Sequence, residues 1–387
     1  MGQTACLAAH EKTWSDPQEV RTSAPTATAS RHILIIKLGA LGDVVLATSL
    51  LARLLEVHAA DRVTLLTAPE YRELLSGFHD LDIVAFKRKG LPGMSRLLRW
   101  LLGQQFDVVY DLQGSLRSRI MTLLTQAQQR AGPVPALAYT HTPLPGNQGV
   151  HAFDRFNAVL LAAGLDAAPA VPQLLLGQAA VSRVDVWLQQ QDLSGRRLLL
   201  MHAGASPRWP SKRWPEQYFL ELALALESRG MTVIWLGGET EGEMNRRLAS
   251  KTGIDAGTVF GLVELAALGC RAAFAMTNDS GPMHILSTAG LPVYAFFGPT
   301  DWQRSHALGQ SAQVLVNPVP CSPCHLPVCP PQQQHVCLAG ITPETVLARL
   351  ETDGMLFLSP RRHSREGGNP ENQTQVLSTT GFPPSRE

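Results

Sequence analysis

Apolar and polar positions along the chain fall into two successive series, each made of short apolar runs followed by segments of helical period. In the first half the runs Ile33–Lys37, Val63–Thr67, Ile83–Phe86 and Val108–Asp111 predict strands. Helical patterns separate them at Val44–Leu55, Glu70–Leu75 and Ser95–Leu102. Between Ala131 and Gln178 the chain is rich in Pro, Gly and Ala, and a short helix is predicted near Val181–Gln191. The series then restarts with strands at Leu198–His202, Val233–Gly237, Ala273–Thr277 and Val293–Phe297, alternating with helices at Glu216–Ser228, Glu241–Ser250 and Met283–Ala289. Strand runs that are apolar throughout and alternate with helices predict parallel, doubly wound sheets, here two of them facing one another across a crevice.

Length agrees with that division, since 387 residues, 45% of them hydrophobic, suffice for two domains of ordinary size. The expected domains are 31–180 and 181–355. The tails 1–30 and 356–387 lack hydrophobic period and are expected to be structureless; the stretch after Leu358 resembles a translated bacterial intergenic repeat. A formal net charge of +1 argues against a nucleic-acid footprint over the whole surface. No apolar run reaches the roughly 20 residues that span a bilayer, and the first thirty residues lack the apolar centre of a secretion signal, so a cytoplasmic protein is expected.

Candidate chemistry sits at the ends of predicted strands. Lys37-Leu-Gly39-Ala-Leu-Gly42-Asp43 carries the first strand into a helix, where backbone N–H groups face the crevice and Asp43 stands as an acid or as a helix cap. His202-Ala-Gly204-Ala-Ser206 through Lys212-Arg213-Trp214-Pro215 combines backbone donors, a hydroxyl and cations in one loop, which reads as a polyphosphate cradle, the alternative being a solvated basic loop that caps a helix. Gly237-Gly238-Glu239-Thr-Glu241-Gly-Glu243 offers carboxylates where nucleotide folds bind ribose hydroxyls, although acids also favour the first turn of a helix. Asn278-Asp279-Ser280-Gly281-Pro282-Met283-His284 places short polar side chains at a third strand end, with His284 in a supporting or donor-binding role rather than direct proton transfer.

Cys6 and Cys270 stand apart, whereas Cys321, Cys324, Cys329 and Cys337 fall within seventeen positions, 321–337. Their spacing admits a structural zinc site, reduced packing thiols, or labile disulfides or a sensor.

Taken with Asp111-Leu-Gln113-Gly114-Ser-Leu-Arg117-Ser118, these motifs resemble glycosyltransferase family 9, the heptosyltransferases of lipopolysaccharide core assembly, in order from about Arg31 to Leu350. The resemblance implies the GT-B arrangement, an α/β fold of two Rossmann-like domains facing a cleft, with the acceptor on the N-terminal domain and an ADP-heptose donor on the C-terminal one. It implies an inverting transfer in which Asp43 is the general base and ADP leaves. Lys212 matches the family's phosphate-binding lysine, Glu241 most nearly its nucleoside acid, and Asp279, Ser280, Gly281 and His284 its group near the diphosphate and sugar; Gly204 and Ser206 complete the donor loop. No metal cofactor is required by that scheme, because cations and N–H donors can meet the departing charge.

Lys37, Gly42, Gln113 and Arg117 are the expected acceptor contacts, with Arg119 and the basic run Lys87-Arg88-Lys89 through Arg96 and Arg99 extending a cationic face. The acceptor is an anionic lipid-linked oligosaccharide, so peripheral association with the cytoplasmic face of the inner membrane is expected, and no nucleic acid. Two other readings stay open from the residues. One is a transferase or epimerase acting on a different nucleotide sugar; the other is a non-catalytic nucleotide-sugar binding protein.

Overall fold

The computed structural model describes residues 30–86, 91–146 and 150–356, and the expected structureless tails and the basic run Lys87-Arg88-Lys89 lie outside them. The first lobe is built on five strands, β1 (His32–Ile36), β2 (Arg62–Thr67), β3 (Leu81–Ala85), β4 (Val108–Asp111) and β5 (Gln129–Ala131), in the order β3-β2-β1-β4-β5 and parallel throughout. Its helices are α1 (Leu41–Val57), α2 (Leu91–Leu102), α3 (Leu116–Leu124) and α4 (Ala152–Ala162). Ile33 to Ile36 are wholly buried because β1 lies at the centre of the sheet with helices on both faces. Ile33 and Ile35 join the core beneath α1 and α4, while Leu34 and Ile36 join the one that holds Leu97 and Leu101 of α2 and Met121 of α3.

The second lobe follows with α5 (Gln178–Gln190), β6 (Arg197–His202), α6 (Glu216–Glu227), β7 (Met231–Trp235), α7 (Gly242–Ala249), β8 (Ile254–Asp255), α8 (Leu262–Gly269), β9 (Phe274–Asn278), α9 (Gly281–Ser287), β10 (Val293–Phe297), α10 (Trp302–Ser305), β11 (Val314–Val316), α11 (Val336–Ala339) and α12 (Pro343–Thr352). Six strands form one parallel sheet in the order β11-β10-β9-β6-β7-β8. Both sheets therefore carry the expected doubly wound, parallel topology. The helix expected over Glu70–Leu75 is instead a short 3-10 turn at Pro69–Tyr71 followed by turns. Pro69 sets the first turn, and only Tyr71, Leu74 and Leu75 turn inward.

The lobes share apolar surface. Ala266 and Ile285 of the second lobe belong to the same buried cluster as Val44, Leu50 and Phe153 of the first, and α1 packs directly on α9. The carboxyl ends of β1 and β9 are thereby brought face to face, which is where ligands bind in parallel α/β sheets.

Candidate active site

Asp43 is the third residue of α1, and Ala40 occupies the capping position without a side-chain bond, so the acid is not the helix cap. The turn before it depends on Gly39, whose φ of +128° is open to glycine and strained for any other residue. One carboxylate oxygen of Asp43, Oδ2, lies 3.3 Å from Lys37 Nζ, while the other has no hydrogen-bond partner among the described residues. The Asp43 side chain is 41% exposed and that of Lys37 only 2%.

Lys37, expected among the acceptor contacts of a cationic face, is instead buried. It continues the central strand and so inherits that strand's burial. Its ammonium donates to the Leu112 carbonyl at 3.3 Å and sits 4.0 Å from the centre of the Phe156 ring on α4. Burial lowers the Lys37 pKa, and the Asp43 carboxylate opposes that shift. Lys37 thus supports the acid from beneath. Gln113 supports the same loop, since its Oε1 accepts from Leu38 N at 2.8 Å, whereas Arg117 is exposed on α3. Asp111, buried at the end of β4, accepts from Gln113 N and Gly114 N at 2.9 Å and from the Tyr139 hydroxyl at 2.6 Å, and so shapes the turn into α3.

Across the crevice the ends of β6, β7 and β9 interlock. Asn278 Nδ2 donates to the carbonyls of Ala203 (2.8 Å) and Gly204 (3.0 Å), and its Oδ1 accepts from Trp214 N at 2.9 Å. Asn278 ties the glycine loop to the Lys212 loop. In the sequence Asn278 is one more short polar residue of its motif, and only its burial among backbone groups reveals the tie. Lys212 Nζ lies 2.6 Å from Asp279 Oδ2, which also accepts from Thr300 Oγ1 at 2.6 Å. Ser280 Oγ lies 3.3 Å from His202 Nδ1, and burial pushes His202 down to about 4. Ser206 is exposed at the outer end of the loop.

The three acids after β7 are placed differently. Glu239 and Glu243 are exposed, while Glu241 is buried, accepts from Gly238 N (3.0 Å) and Thr240 Oγ1 (2.8 Å), and packs so closely on Gly204 that a Cβ there would come within 2.4 Å of Glu241 Cγ.

The lobes meet at Gly42 and His284. A Cβ on Gly42 would fall 2.4 Å from His284 Cδ2 and 2.6 Å from Nε2, and one on Gly281 would fall 2.5 Å from Leu41 Cδ2. His284 is buried, its Nδ1 has no partner, and burial lowers its pKa to about 4 although Asp279 and Asp43 both act to raise it. A neutral imidazole therefore stands between the acid of one lobe and the ion pair of the other. Beside it His151, the cap of α4, bonds through Nε2 to the His306 carbonyl at 3.0 Å. Arg155, one turn further along α4, feels Arg304 and Asp43 electrostatically, so a cation from each lobe flanks the same cleft.

The four clustered cysteines are free, and among the described residues no group of three or more His, Cys, Asp or Glu side chains is placed to hold a metal ion. Their loop instead buttresses the Lys212 loop. Ser211 N and Oγ donate to the carbonyls of Pro327 (3.1 Å) and Leu326 (2.7 Å), and His335 Nε2 lies 2.6 Å from Ser211 O.

Comparison with known proteins bears on this arrangement. Residues 94–335 match the sequence profile of glycosyltransferase family 9 (heptosyltransferase). The chain is 29% identical over 282 residues to lipopolysaccharide heptosyltransferase 1 of Pseudomonas aeruginosa, an alignment covering 66% of this chain and 75% of that protein. Among solved structures, a glycosyl transferase family 9 protein from Veillonella parvula superposes with a TM-score of 0.72 at 22% identity, covering 84% of this chain and 97% of the other. An Escherichia coli ADP-heptose lipopolysaccharide heptosyltransferase II gives a TM-score of 0.67 at 22% identity, over 84% and 98% of the two chains. At such identities the structural likeness establishes the fold, which is GT-B.

Proposed function

The chain belongs to glycosyltransferase family 9 and is a glycosyltransferase of the heptosyltransferase type, and from that premise we propose that it transfers heptose from ADP-heptose to the inner core of lipopolysaccharide, with inversion, using Asp43 as general base. One observation carries the reading. Asp43, half-exposed and with one carboxylate oxygen free, stands on the first turn of α1 at the point where Gly42 touches His284, and His284 lies on the first turn of α9, just after Asp279 and its partner Lys212.

In the proposed reaction an acceptor hydroxyl enters from the first lobe and gives its proton to the free oxygen of Asp43 as its own oxygen attacks the anomeric carbon. The bond from that carbon to the diphosphate breaks on the opposite face, and ADP leaves with the electron pair. A single displacement inverts the configuration. Lys212 and the N–H groups around Gly204 and Ser280–Gly281 meet the charge that develops on the leaving diphosphate. Glu241, held at the end of β7, is positioned to accept from the ribose hydroxyls. Lys37 keeps the acid in place from below, and His284, neutral at working pH, contributes an uncharged polar wall between base and diphosphate.

The test is transfer from ADP-heptose to lipopolysaccharide isolated from a strain lacking this gene, with the new linkage assigned by NMR. Asp43→Asn should lower kcat by about 10²–10⁴ while ADP binding measured by calorimetry stays within a factor of about two. Activity of Asp43→Asn near the parent value, or a retained anomeric configuration, would remove the proposed role of the base. Turnover of ADP-heptose without acceptor would favour a different sugar-nucleotide enzyme.

A further inference from the structure

We propose that the outer face of α3, together with the neighbouring exposed side of α2, is the surface through which this chain rests on an anionic lipid membrane. The proposal rests on the functional reading above only in that the acceptor is lipid-linked.

The sequence Leu116-Arg-Ser-Arg-Ile120-Met-Thr-Leu123-Leu puts Ser118, Met121 and Thr122 on the buried side of α3. Leu116, Ile120 and Leu123, spaced i, i+4 and i+7, form the opposite stripe and are 74%, 51% and 51% exposed. A soluble helix ordinarily turns such a stripe to the core; here Ser118 and Thr122 face in with Met121, while three aliphatic side chains face out. Leu102, at the end of the adjoining α2, is a further 61% exposed. A continuous apolar stripe on a surface helix marks a contact surface.

Charge selects the occupant. Arg117 borders the stripe, and Arg96 and Arg99 are exposed on α2. Neither helix contains an acidic residue among Leu91–Leu102 or Leu116–Leu124. An apolar stripe bordered on these two helices by cations and by no acid suits a layer of anionic headgroups over hydrocarbon. A symmetric pairing of two copies would instead set arginine against arginine.

Position agrees with this choice. α3 begins directly after Gln113 and Gly114, and Gln113 holds the Leu38 backbone in the loop that leads to Asp43. The first turn of α3 therefore abuts the candidate acceptor side of the crevice, and a glycolipid whose sugar reached Asp43 would carry its hydrocarbon toward Leu116. On α2 the apolar Leu97 and Leu101 are buried in the first lobe's core and supply no such face. The exposed stripe belongs to the next helix.

The test is co-sedimentation of the full chain with vesicles of phosphatidylcholine alone or mixed with phosphatidylglycerol, at low and high salt. The unaltered chain should bind the mixed vesicles. Ile120→Glu and Leu123→Glu should each lower partitioning by about tenfold or more at either salt concentration. Arg96→Glu and Arg99→Glu should each lower it about fivefold, at low salt only.

Thermal melting and ADP binding check that the variants are folded. Leu116→Glu, at the most exposed position of the stripe, provides a second variant should either of the others fold poorly. Absence of vesicle binding by the unaltered chain, or equal binding by the glutamate variants, would overturn the proposal. So would a dimer of the unaltered chain that Ile120→Glu converts to monomers, because the face would then belong to a second copy. Transfer to detergent-solubilised acceptor should survive Ile120→Glu. If the unaltered chain binds vesicles through this face yet transfers no heptose, the reading of the reaction fails while the docking face stands.

Discussion

Substituting alanine for Gly42 is expected to change sign with the residue opposite it. Gly42 is the second residue of α1 and has ordinary negative φ, so its backbone does not require glycine. In a helix alone, alanine would stabilise by about 0.5–1 kcal/mol. Here the new methyl would fall 2.4 Å from His284 Cδ2, whereas carbon atoms pack at roughly 3.5–4.0 Å, so the ring or the whole of α9 must retreat by more than about 1 Å. His284 is 6% exposed and has no adjacent solvent into which to swing. Overpacking of that kind costs about 1–3 kcal/mol, which outweighs the helix gain.

In a His284→Ala background the three nearest atoms to the new methyl are gone, since all of them belong to the His284 ring. The same change should then be neutral or stabilising by up to about 1 kcal/mol. Urea denaturation of the four proteins of this cycle reads the reversal. In the parent background kcat for heptose transfer should also fall, by as much as about 10²-fold, because the displaced surface is the one that sets Asp43 against the loops after β6 and β9, the proposed donor side. Equal effects of Gly42→Ala in the two backgrounds would refute the argument that the lobes touch at this point.

Acid should destabilise the protein before its ordinary carboxylates titrate. Burial depresses His202 and His284 to about 4, below the unfolded value, so stability is fully present above about pH 6.5 and is lost as pH falls toward 4, by at most about 3 kcal/mol for each histidine. Urea midpoints at about pH 7.5 and pH 5 check this, and a flat profile between them would contradict it. Lys212→Met should weaken ADP about 10–100-fold by calorimetry, through loss of a charge-assisted contact, while Lys212→Arg retains part of the affinity; an unchanged Kd for Lys212→Met would take the lysine out of the donor site.

Much of this arrangement is legible in the residues because parallel sheets leave little choice. A strand such as Ile33–Ile36, apolar at every position, must be central, and the loops that can meet a ligand must follow the carboxyl ends of such strands. What escaped has equally physical causes. Lys37 reads as a surface cation by type, yet it stands one residue past a central strand and under Phe156. α4 lies inside a region whose Pro, Gly and Ala content obscures the buried series Phe153, Phe156, Val159 and Leu160. α3 gives a weak pattern because Leu116, Ile120 and Leu123 turn outward while Ser118 and Thr122 turn in with Met121. Asn278 is ordinary by type, and its three bonds to other loops exist only once β6 and β9 are neighbours.

The buried position of Lys37 needs explanation, because packing does not require it. Between the Phe156 ring and the end of β1 a methionine of similar length would fill the space without desolvating an ammonium. What the lysine adds is direction. Its donors are divided between the Leu112 carbonyl and one oxygen of Asp43, both at 3.3 Å, so the acid is held at a single atom and its other oxygen stays available toward the crevice. A carboxylate held only by solvent would sample several rotamers on the first turn of α1. A carboxylate with both oxygens bonded would have no vacant site for an incoming proton. A cation fixed under the sheet's end, bound to one oxygen and leaving the other free, holds Asp43 oriented with one oxygen turned to the crevice, the arrangement the proposed role requires.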